Sequence, residues 1–290
     1  MTGFRFKPNK IESKFIGCWL MLLIIRYGAQ AINMPEKKEQ TGSGNDTPLK
    51  NDALHKNDLL RAGDLENQQG FDLYKLGTIN SLKKAREYFK HTADQGQATA
   101  QHNYATMLRN GEGGDKNAEE ARKYYKLAAD QGYTKAQNNY AKMLRYGEGG
   151  DRNLGEARKY LKRAADQGHA IAQGHYGDML YDGEGGYRNQ EEARKYCKMS
   201  ADQGLAETQG GYGYMLYLGE GGDKNPEEGR KYMKLSADQG LAPAQHIYAD
   251  MLENGEGGDK NIEEAKRYRK LASDQGLGST PDYFDTISRE

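Results

Sequence analysis

Apolar and small residues recur at helical spacing in the stretch QATAQHNYATMLRNGEGGDKNAEEARKYYKLAADQG, residues 97–132. Intervals of three and four residues place such positions on one face of an α-helix. The first face consists of Ala100, Tyr104, Met107 and Leu108. The second face consists of Ala121, Tyr124, Tyr125 and Ala128. Between them, the segment NGEGGDKN ends the first helix, because glycine readily adopts positive φ. The pattern therefore predicts two helices joined by a glycine loop.

This helix pair repeats every 36 residues without a gap. The tripeptide Asp-Gln-Gly marks the period, and its copies begin at Asp94, Asp130, Asp166, Asp202, Asp238 and Asp274. The full repeats are 97–132, 133–168, 169–204, 205–240 and 241–276. One helix pair cannot bury its apolar faces alone, so neighbouring pairs must stack. The sequence therefore predicts an all-α fold, a solenoid of antiparallel helix pairs.

The second helix of each repeat carries its own start and stop signals. Asn117 can cap this helix, and Glu120 three residues later completes a capping box. The same spacing recurs at Asn153/Glu156, Asn189/Glu192, Asn225/Glu228 and Asn261/Glu264. Gly132 follows the helix end, where a residue with left-handed backbone turns the chain. Asp-Gln-Gly is therefore predicted to form the joint between repeats.

Small residues and tyrosines recur in columns at the same period. Two columns of small residues predict close helix contacts: Ala105, Ala141, Gly177, Gly213 and Ala249 in one, and Ala121, Ala157, Ala193, Gly229 and Ala265 in the other. One tyrosine column consists of Tyr104, Tyr140, Tyr176, Tyr212 and Tyr248. Because this column belongs to the apolar face, we predict that it is core and not a platform for stacking nucleobases.

The segments on either side of the full repeats differ from them. Residues 67–96 are interpreted as a degenerate N-terminal half repeat, with a clear second helix, SLKKAREYFKHTADQG, and an eroded first helix, FDLYKLG. Residues 32–66 are polar and predict a disordered linker, since they cannot bury enough apolar surface to fold. Residues 277–290 do not complete another repeat and are predicted to cap the stack.

The first 31 residues have the pattern of a secretory signal: basic residues, an apolar run from Phe15 to Ile25, and Ala29-Gln30-Ala31. The apolar run is shorter than the roughly 20 residues that span a bilayer. We expect a cleaved signal peptide or an uncleaved membrane anchor, and therefore the endoplasmic reticulum lumen or secretion. A cytoplasmic chain with an incidental apolar patch is the alternative. Asn45 lies in a glycosylation sequon, which is used only in the secretory pathway.

Composition excludes some classes of partner. The 42 basic and 42 acidic residues give zero formal net charge, which does not favour binding to nucleic acid or to an anionic membrane surface. Membrane contact is expected only through the N-terminal segment. Hydrophobic residues make up 36% of the chain and the mean hydropathy is −1.01. These values favour thin stacked layers over a single large core.

Residues with the potential for chemistry form no convincing catalytic or metal-binding set. The GEGGD loop lies between two helices, whereas phosphate-binding loops follow a strand and carry a lysine and a hydroxyl. Its Glu112 and Asp115 lack the alternating acids of a calcium loop. The histidines His102, His175 and His246 have no second metal ligand at helical spacing. Cys197 occupies a column of packed residues and is predicted to be a packed thiol. We therefore predict no cofactor, no metal and no enzymatic activity.

These columns resemble the Sel-1-like repeat, a relative of the tetratricopeptide repeat, over roughly residues 67–276. The resemblance rests on A-x-x-x-Y-[A/G]-x-x-L-x-x-G-x-G before the loop and on the helix EEARKYYKLAADQG after it. It implies a right-handed superhelix with a concave face. Where such families usually have Gly-Val at the loop end, this chain has Gly-Gly, as in Gly113-Gly114. Because an apolar plug is then missing, we expect looser loops.

The resemblance also implies that the first helix of each pair lines the concave face, and its outward positions vary among the repeats. We predict partner contacts at Lys135, Asn138, Lys142, Arg145, Tyr146, Asp178, Tyr181, Asp182, Tyr214, Tyr217, His246, Asp250 and Glu253. The repeat 133–168 has eight basic and four acidic side chains, whereas 241–276 has five and seven. This gradient favours an extended peptide of opposite polarity.

The resulting hypothesis is a non-enzymatic scaffold or adaptor that binds a protein or an extended peptide segment. Family members serve as adaptors in endoplasmic-reticulum-associated degradation and as regulators of membrane enzymes, so the resemblance implies a complex of this kind. A hydrolase of the secretory pathway and a cytosolic signalling regulator are the alternatives.

Overall fold

The computed structural model describes residues 50–277, with side chains from residue 63 onward. Within this range the chain forms twelve α-helices and no strand, which confirms the predicted all-α solenoid. The helices are α1 (Lys50–Leu76), α2 (Ile79–Asp94), α3 (Ala98–Asn110), α4 (Ala118–Asp130), α5 (Thr134–Tyr146), α6 (Leu154–Asp166), α7 (Ala170–Asp182), α8 (Gln190–Ala201), α9 (Ala206–Leu218), α10 (Pro226–Asp238), α11 (Ala242–Asn254) and α12 (Ile262–Asp274). Odd-numbered helices are the first helices of the repeats, and even-numbered helices are the second helices.

The described residues fall into two compact units, an N-terminal unit (50–153) and a C-terminal unit (154–277). Inside each unit, every helix packs against the next one along the chain. No helix between residues 50 and 277 is both long and apolar enough to cross a bilayer. The predicted leader, the sequon at Asn45 and residues 278–290 of the predicted tail lie outside the described residues.

Helix α1 begins at Lys50, inside the segment for which we predicted a disordered linker. That prediction is wrong from residue 50 onward, and FDLYKLG is the last part of a complete first helix. The helix packs through glycines: a Cβ on Gly70 would lie 2.7 Å from the ring of Phe89 on α2. Phe71 adds an edge-to-face contact with Phe89, with ring centroids 5.3 Å apart. Composition missed residues 50–66 because they are mostly polar, whereas the end of the helix was interpreted as an eroded first helix.

The predicted small-residue columns lie where first and second helices cross. In the C-terminal unit, a Cβ on Gly213 of α9 would lie only 2.9 Å from the carbonyl oxygen of Gly229 on α10. On α7, a Cβ on Gly177 would lie 2.6 Å from the sulfur of Cys197. Cys197 is buried, and burial raises the pKa of its thiol. The prediction of a packed thiol is therefore confirmed.

The tyrosine column is also core, as predicted, since Tyr104, Tyr140, Tyr176, Tyr212 and Tyr248 are all buried. Several of these rings contact a tyrosine of the following second helix edge-to-face. Tyr212 and Tyr232, for example, have ring centroids 4.8 Å apart and an interplanar angle of 86°. Edge-to-face pairs of this kind add about 0.5–1.5 kcal/mol to the stabilisation from burial.

Each residue of Asp-Gln-Gly has its own structural role. The glycine has positive φ in every copy, between 86° and 94°, which confirms the predicted turn. The glutamine donates to the first-helix glutamine of its own repeat, as Gln203 does to Gln173 at 2.7 Å. The aspartate accepts a hydrogen bond from a tyrosine hydroxyl of the next repeat, as Asp202 does from Tyr232. The tripeptide therefore joins consecutive repeats and fixes the geometry of each joint.

The joint aspartates also predict a pH dependence. Lys198 donates a hydrogen bond to Asp202 at 2.6 Å, and this bond, together with the one from Tyr232, lowers the pKa of the Asp202 carboxyl. A folded-state pKa below the unfolded value of about 3.9 contributes stability at higher pH, and that stability is lost as pH falls through the folded pKa. We expect the free energy of unfolding, measured with urea from pH 6 to 3, to decline below about pH 4.

Asp202→Asn should make this decline shallower. It should not remove the decline, because Asp94 keeps the corresponding bonds from Lys90 and Tyr124, which lower its pKa. An unchanged slope in Asp202→Asn would contradict the assignment.

The Gly-Gly loops are held by the preceding repeat, so the expectation of looser loops is wrong. Gly221 has φ +70°, and a Cβ there would lie 2.1 Å from the carbonyl oxygen of Gln190 at the start of α8. Gly222 lies against the guanidinium of Arg194, which donates to two loop carbonyl oxygens at 3.4 and 2.8 Å. The equivalent arginines are Arg86, Arg122, Arg158 and Arg230. A guanidinium thus occupies the place that we assigned to an absent apolar plug.

Candidate interaction surface

The predicted contact residues all lie on first helices, but they differ in accessibility. The exposed ones are Lys135, Tyr146, Asp182 and Glu253. The partly buried ones are Lys142, Tyr214, Tyr217, His246 and Asp250. The buried ones are Asn138, Arg145, Asp178 and Tyr181, each at most 6% exposed. We therefore reassign these four as packed residues. The accessible ones remain predicted contacts.

The physical reason is helical geometry, which α5 illustrates. Positions 135, 139, 142 and 146 follow intervals of four, three and four residues and share one face, which is accessible or partly accessible. Asn138 and Arg145 lie seven residues apart, beside this face, and are buried. Variation among the repeats identified the helix correctly but did not separate the two neighbouring faces.

In the N-terminal unit, an ion pair connects a first helix to the loop of the next repeat. Arg109 near the end of α3 donates to Glu148 through Nε at 2.8 Å and through Nη2 at 2.7 Å. This bidentate bond raises the pKa of Arg109. Lys142 on α5 is partly buried near the pair, and burial, followed by the positive charge of Arg109, lowers the pKa of its ammonium group.

A polar network underlies the same surface. The ring of His102 on α3 contacts Tyr125 and Tyr133 edge-on, with centroids 5.5 and 5.2 Å away. Its Nε2 lies 3.1 Å from the amide nitrogen of Asn139. The hydroxyls of Thr106 and Tyr125 are 2.8 Å apart. His102 is therefore a packed and hydrogen-bonded residue of the scaffold.

In the C-terminal unit, tyrosines take the place of Arg109 in the same contact. Tyr181 donates to Glu220 of the next loop at 2.6 Å, and burial raises the pKa of that carboxyl group. Tyr217 makes the corresponding hydrogen bond to Glu256. First-helix donors and loop glutamates thus form a recurring contact between consecutive repeats within each unit.

A partly exposed aromatic patch lies on α9 and α11. We define the C-terminal aromatic patch as Tyr214, Tyr217 and Ile247, which pack on the core of this unit and stay partly accessible. Gly211, one turn before Tyr214, has open space where a Cβ would lie. The helix backbone is therefore accessible beside the patch.

Acidic residues border this patch on α11. Asp250 and Glu253 both accept hydrogen bonds from Arg269 of α12, and the Asp250 bond is 2.9 Å long. His246 lies one turn earlier, with Nε2 3.6 Å from Asp250. Two carboxylates thus share one guanidinium, which leaves negative charge next to the aromatic rings.

The family profile described as Sel1 repeat matches six consecutive segments, 68–97, 98–133, 134–169, 170–205, 206–241 and 242–277. The chain belongs to the Sel1 repeat family. The first matched segment begins within α1, so the profile recognises the degenerate N-terminal repeat as well as the five full ones.

Solved structures of other Sel1 repeat proteins have the same fold. The Sel1 repeat protein from Oxalobacter formigenes is 28% identical over 73% of this chain and 83% of that one, with a TM-score of 0.67. The protective antigen c5321 of uropathogenic Escherichia coli, which displays an SLR fold, is 26% identical with a TM-score of 0.69. The match covers 74% of this chain and 46% of the antigen. Comparison with curated proteins gave no match.

Sel1 repeat proteins are generally non-enzymatic scaffolds for protein interactions. Within residues 50–277, no three histidine, cysteine, aspartate or glutamate side chains are grouped so that they could hold a metal ion. His175 is buried, and His246 lies beside Asp250. The accessible side chains of the first helices therefore form the candidate interaction surface of this Sel1 repeat protein.

Sequence reasoning missed Arg109, Glu148, Arg269 and Gly211 as parts of the surface of this Sel1 repeat protein. A signal for the ion pair was present, because residues 109, 145, 181 and 217 form a column of hydrogen-bond donors and every loop carries a glutamate. Gly211 gave no such signal, because a glycine in a helix has no side chain that could indicate a contact. Only the structure shows that the space next to it is open.

Proposed function

We propose that this Sel1 repeat protein is a non-enzymatic scaffold that binds a protein or an extended peptide segment on the accessible faces of its first helices. One observation supports this most strongly. The constant columns form contacts between consecutive repeats, whereas the variable first-helix positions leave accessible aromatic and charged side chains. Tyrosine and arginine are the side chains that most often dominate binding energy at interfaces.

The second helices present a different surface. Their exposed charges pair with each other along the helix, as in Lys123–Glu119 at 2.8 Å and Lys195–Glu191 at 2.9 Å. Such pairs are solvated and contribute little to recognition. The first helices, in contrast, expose Tyr146 at 41% and keep the C-terminal aromatic patch partly accessible. The second helices also expose the aliphatic side chains of Leu127, Met199, Leu235 and Leu271. The preference for the first-helix side therefore rests on its aromatic side chains.

The location and the biological complex are part of the proposal. The basic and apolar N-terminal segment supports entry into the secretory pathway, and a glycan on Asn45 would test that entry. An adaptor role, in a degradation complex or beside a membrane enzyme, fits a scaffold in that compartment. The cytoplasm is the alternative location.

Binding can be tested with a display library of random twelve-residue peptides, selected on the full chain. We expect each selected peptide to lose about tenfold or more in affinity for Tyr214→Ala or for Tyr146→Ala, because each change removes an aromatic contact from a first helix. Tyr187→Ala is the matched control, since Tyr187 is 95% exposed in a loop. Affinities are measured by titration calorimetry, with a thermal melt of each variant.

The proposal fails if no peptide is selected, or if the selected peptides bind all three variants as tightly as the wild type. Loss of affinity in Tyr187→Ala, with the first-helix variants unchanged, would move the site to the loops and would also contradict it.

A further inference from the structure

The accessible face of α5 carries two cations and an aromatic ring. We define the α5 stripe as Lys135, Asn139, Lys142 and Tyr146, whose intervals of four, three and four residues align them along one side of the helix. Lys135 and Tyr146 are exposed, while Asn139 and Lys142 are partly buried. All four lie within the N-terminal unit, as does the neighbouring Arg109.

Lys142 is partly buried and has no ion-pair partner among the described residues, unlike three other lysines of this unit. Its ammonium group makes no hydrogen bond or ion pair with any residue between 63 and 277. In the same unit, Lys90, Lys123 and Lys126 each pair with a carboxylate at 2.6–2.8 Å. Partial burial of an unpaired ammonium is unfavourable unless another group compensates for the lost hydration.

Glu148, the carboxylate whose charge acts on Lys142, already forms an ion pair with Arg109. Both of its oxygens accept from Arg109, at 2.8 and 2.7 Å. Lys142 therefore lies near two opposite charges that already pair with each other, and its own positive charge has no ion-pair partner between residues 63 and 277. An incoming carboxylate would provide that compensation.

An amide group on α3 lacks a hydrogen-bond partner among the described residues. This group is the amide nitrogen of Asn103, which is buried. Asn103 lies on α3 at the position that Asn139 occupies on α5, one repeat later. Buried amide groups are nearly always satisfied, and an unsatisfied donor calls for an explanation. Because this nitrogen is inaccessible from the surface, we base the inference on Lys142 and the α5 stripe and not on Asn103.

We propose that the α5 stripe, with Arg109 beside it, binds an acidic peptide segment and that one carboxylate of this segment pairs with Lys142. The proposal rests on the proposed function and specifies its ligand in the N-terminal unit. Lys135 and Lys142 are seven residues apart, which is about 10 Å along a helix. A peptide in the polyproline II conformation advances about 3.1 Å per residue with three residues per turn, so a second carboxylate three residues away lies on the same side and can pair with Lys135.

The test uses the twelve-residue display library, selected in parallel on the wild type and on Lys142→Met. Methionine keeps most of the apolar stem and removes the charge. Peptides selected on the wild type should be enriched in aspartate and glutamate, and those selected on Lys142→Met should not. In a synthetic acidic peptide, changing the paired glutamate to glutamine should weaken binding to the wild type at least tenfold and leave binding to Lys142→Met unchanged.

Stability distinguishes a binding role from a structural one. Lys142→Met should keep or raise the melting temperature, because it removes an unpaired, partly buried cation. Lys142→Arg should retain the preference for acidic peptides. Lys123→Met is the matched control on a second helix of the same unit, and it should bind like the wild type.

Several results would overturn the inference. The selected peptides could lack acidic enrichment while their affinity still depends on Tyr146 or Tyr214. That result would contradict the acidic-peptide inference and leave the proposed function intact. Failure to select any peptide would remove both. Equal binding of a twelve-nucleotide single-stranded DNA at the same salt concentration, also lost in Lys142→Met, would assign the stripe to phosphate and not to an acidic peptide.

Discussion

Alanine in place of Gly221 is expected to lower the free energy of unfolding of the C-terminal unit by about 2–5 kcal/mol. Two effects add up here. A left-handed backbone at φ +70° costs a non-glycine residue roughly 1–2 kcal/mol. The new Cβ would also lie 2.1 Å from the carbonyl oxygen of Gln190, so that two backbone segments must separate, at a further cost of about 1–3 kcal/mol. Urea unfolding of the purified chain, followed by circular dichroism, measures the sum.

Two other glycines separate these effects. Gly204 has φ +92° and nothing within 4 Å of a Cβ, so Gly204→Ala should show only the backbone strain of about 1–2 kcal/mol. Gly211 is helical and faces open space, so Gly211→Ala should stabilise the unit by up to about 1 kcal/mol. If Gly221→Ala is no more destabilising than Gly204→Ala, the tight contact between loop and helix does not exist.

Removal of the guanidinium in Arg194→Ala should destabilise the same unit by about 2–3 kcal/mol. Arg194 donates to two carbonyl oxygens of the next loop and lies over Gly222, so its loss leaves both acceptors without a protein partner. Hydrogen bonds from a charged donor contribute about 1.5–3 kcal/mol each in favourable cases, and partial exposure reduces that value. The same urea titration provides the measurement.

Arg194→Lys should recover little of this loss, because an ammonium group cannot reproduce the planar fork that spans two acceptors. Lys195→Ala is the positional control, since the neighbouring Lys195 is exposed and pairs only with Glu191 along the helix. Its stability should match the wild type. Equal stability of Arg194→Lys and wild type would show that charge alone, and not the fork, holds the loop.

The sequence was sufficient for the features that repeat within one helix pair. Helical periodicity located the two helices, and Asn117 caps the second one by accepting from the backbone of Glu120, as predicted. The reciprocal half of the predicted capping box was wrong, because the backbone N–H of Asn117 donates to Leu108 and the Glu120 carboxylate accepts from the Asn117 side chain. The left-handed backbone of the glycine in Asp-Gln-Gly was also predicted from the sequence, because a turn requires glycine at that position in every copy. These features depend on residues close in sequence, for which the physical rules are local.

Contacts between residues of different repeats were harder to predict from the sequence. Tyr232 reaches Asp202 across 30 residues and Arg194 reaches the next loop across 29, and a column of identical residues does not reveal its partner. The Gly-Gly loops were misread because glycine is typical both of flexible segments and of backbone contacts too close for a Cβ. Residues 50–66 of α1 were assigned to a disordered linker because their composition is polar.

The candidate site shows the same limit. Variation among repeats selected the first helices, but burial then removed Asn138, Arg145, Asp178 and Tyr181 from the accessible set. Adjacent helix residues are rotated by about 100° around the helix axis, so a buried position can directly follow an accessible one. Sequence variation alone does not distinguish the two. What remains accessible is the α5 stripe in the N-terminal unit and the C-terminal aromatic patch with its acidic border.

The most direct test compares unfolding and peptide binding in one set of variants. Arg194→Ala and Asp202→Asn alter contacts between repeats, whereas Tyr214→Ala and Lys142→Met alter first-helix surfaces. We predict that the first two lower the free energy of unfolding and leave the affinity for selected peptides within about twofold of the wild type. The last two should lower the affinity about tenfold with a small change in stability. Parallel losses of stability and affinity in all four variants would contradict the division between a constant scaffold and a variable binding surface.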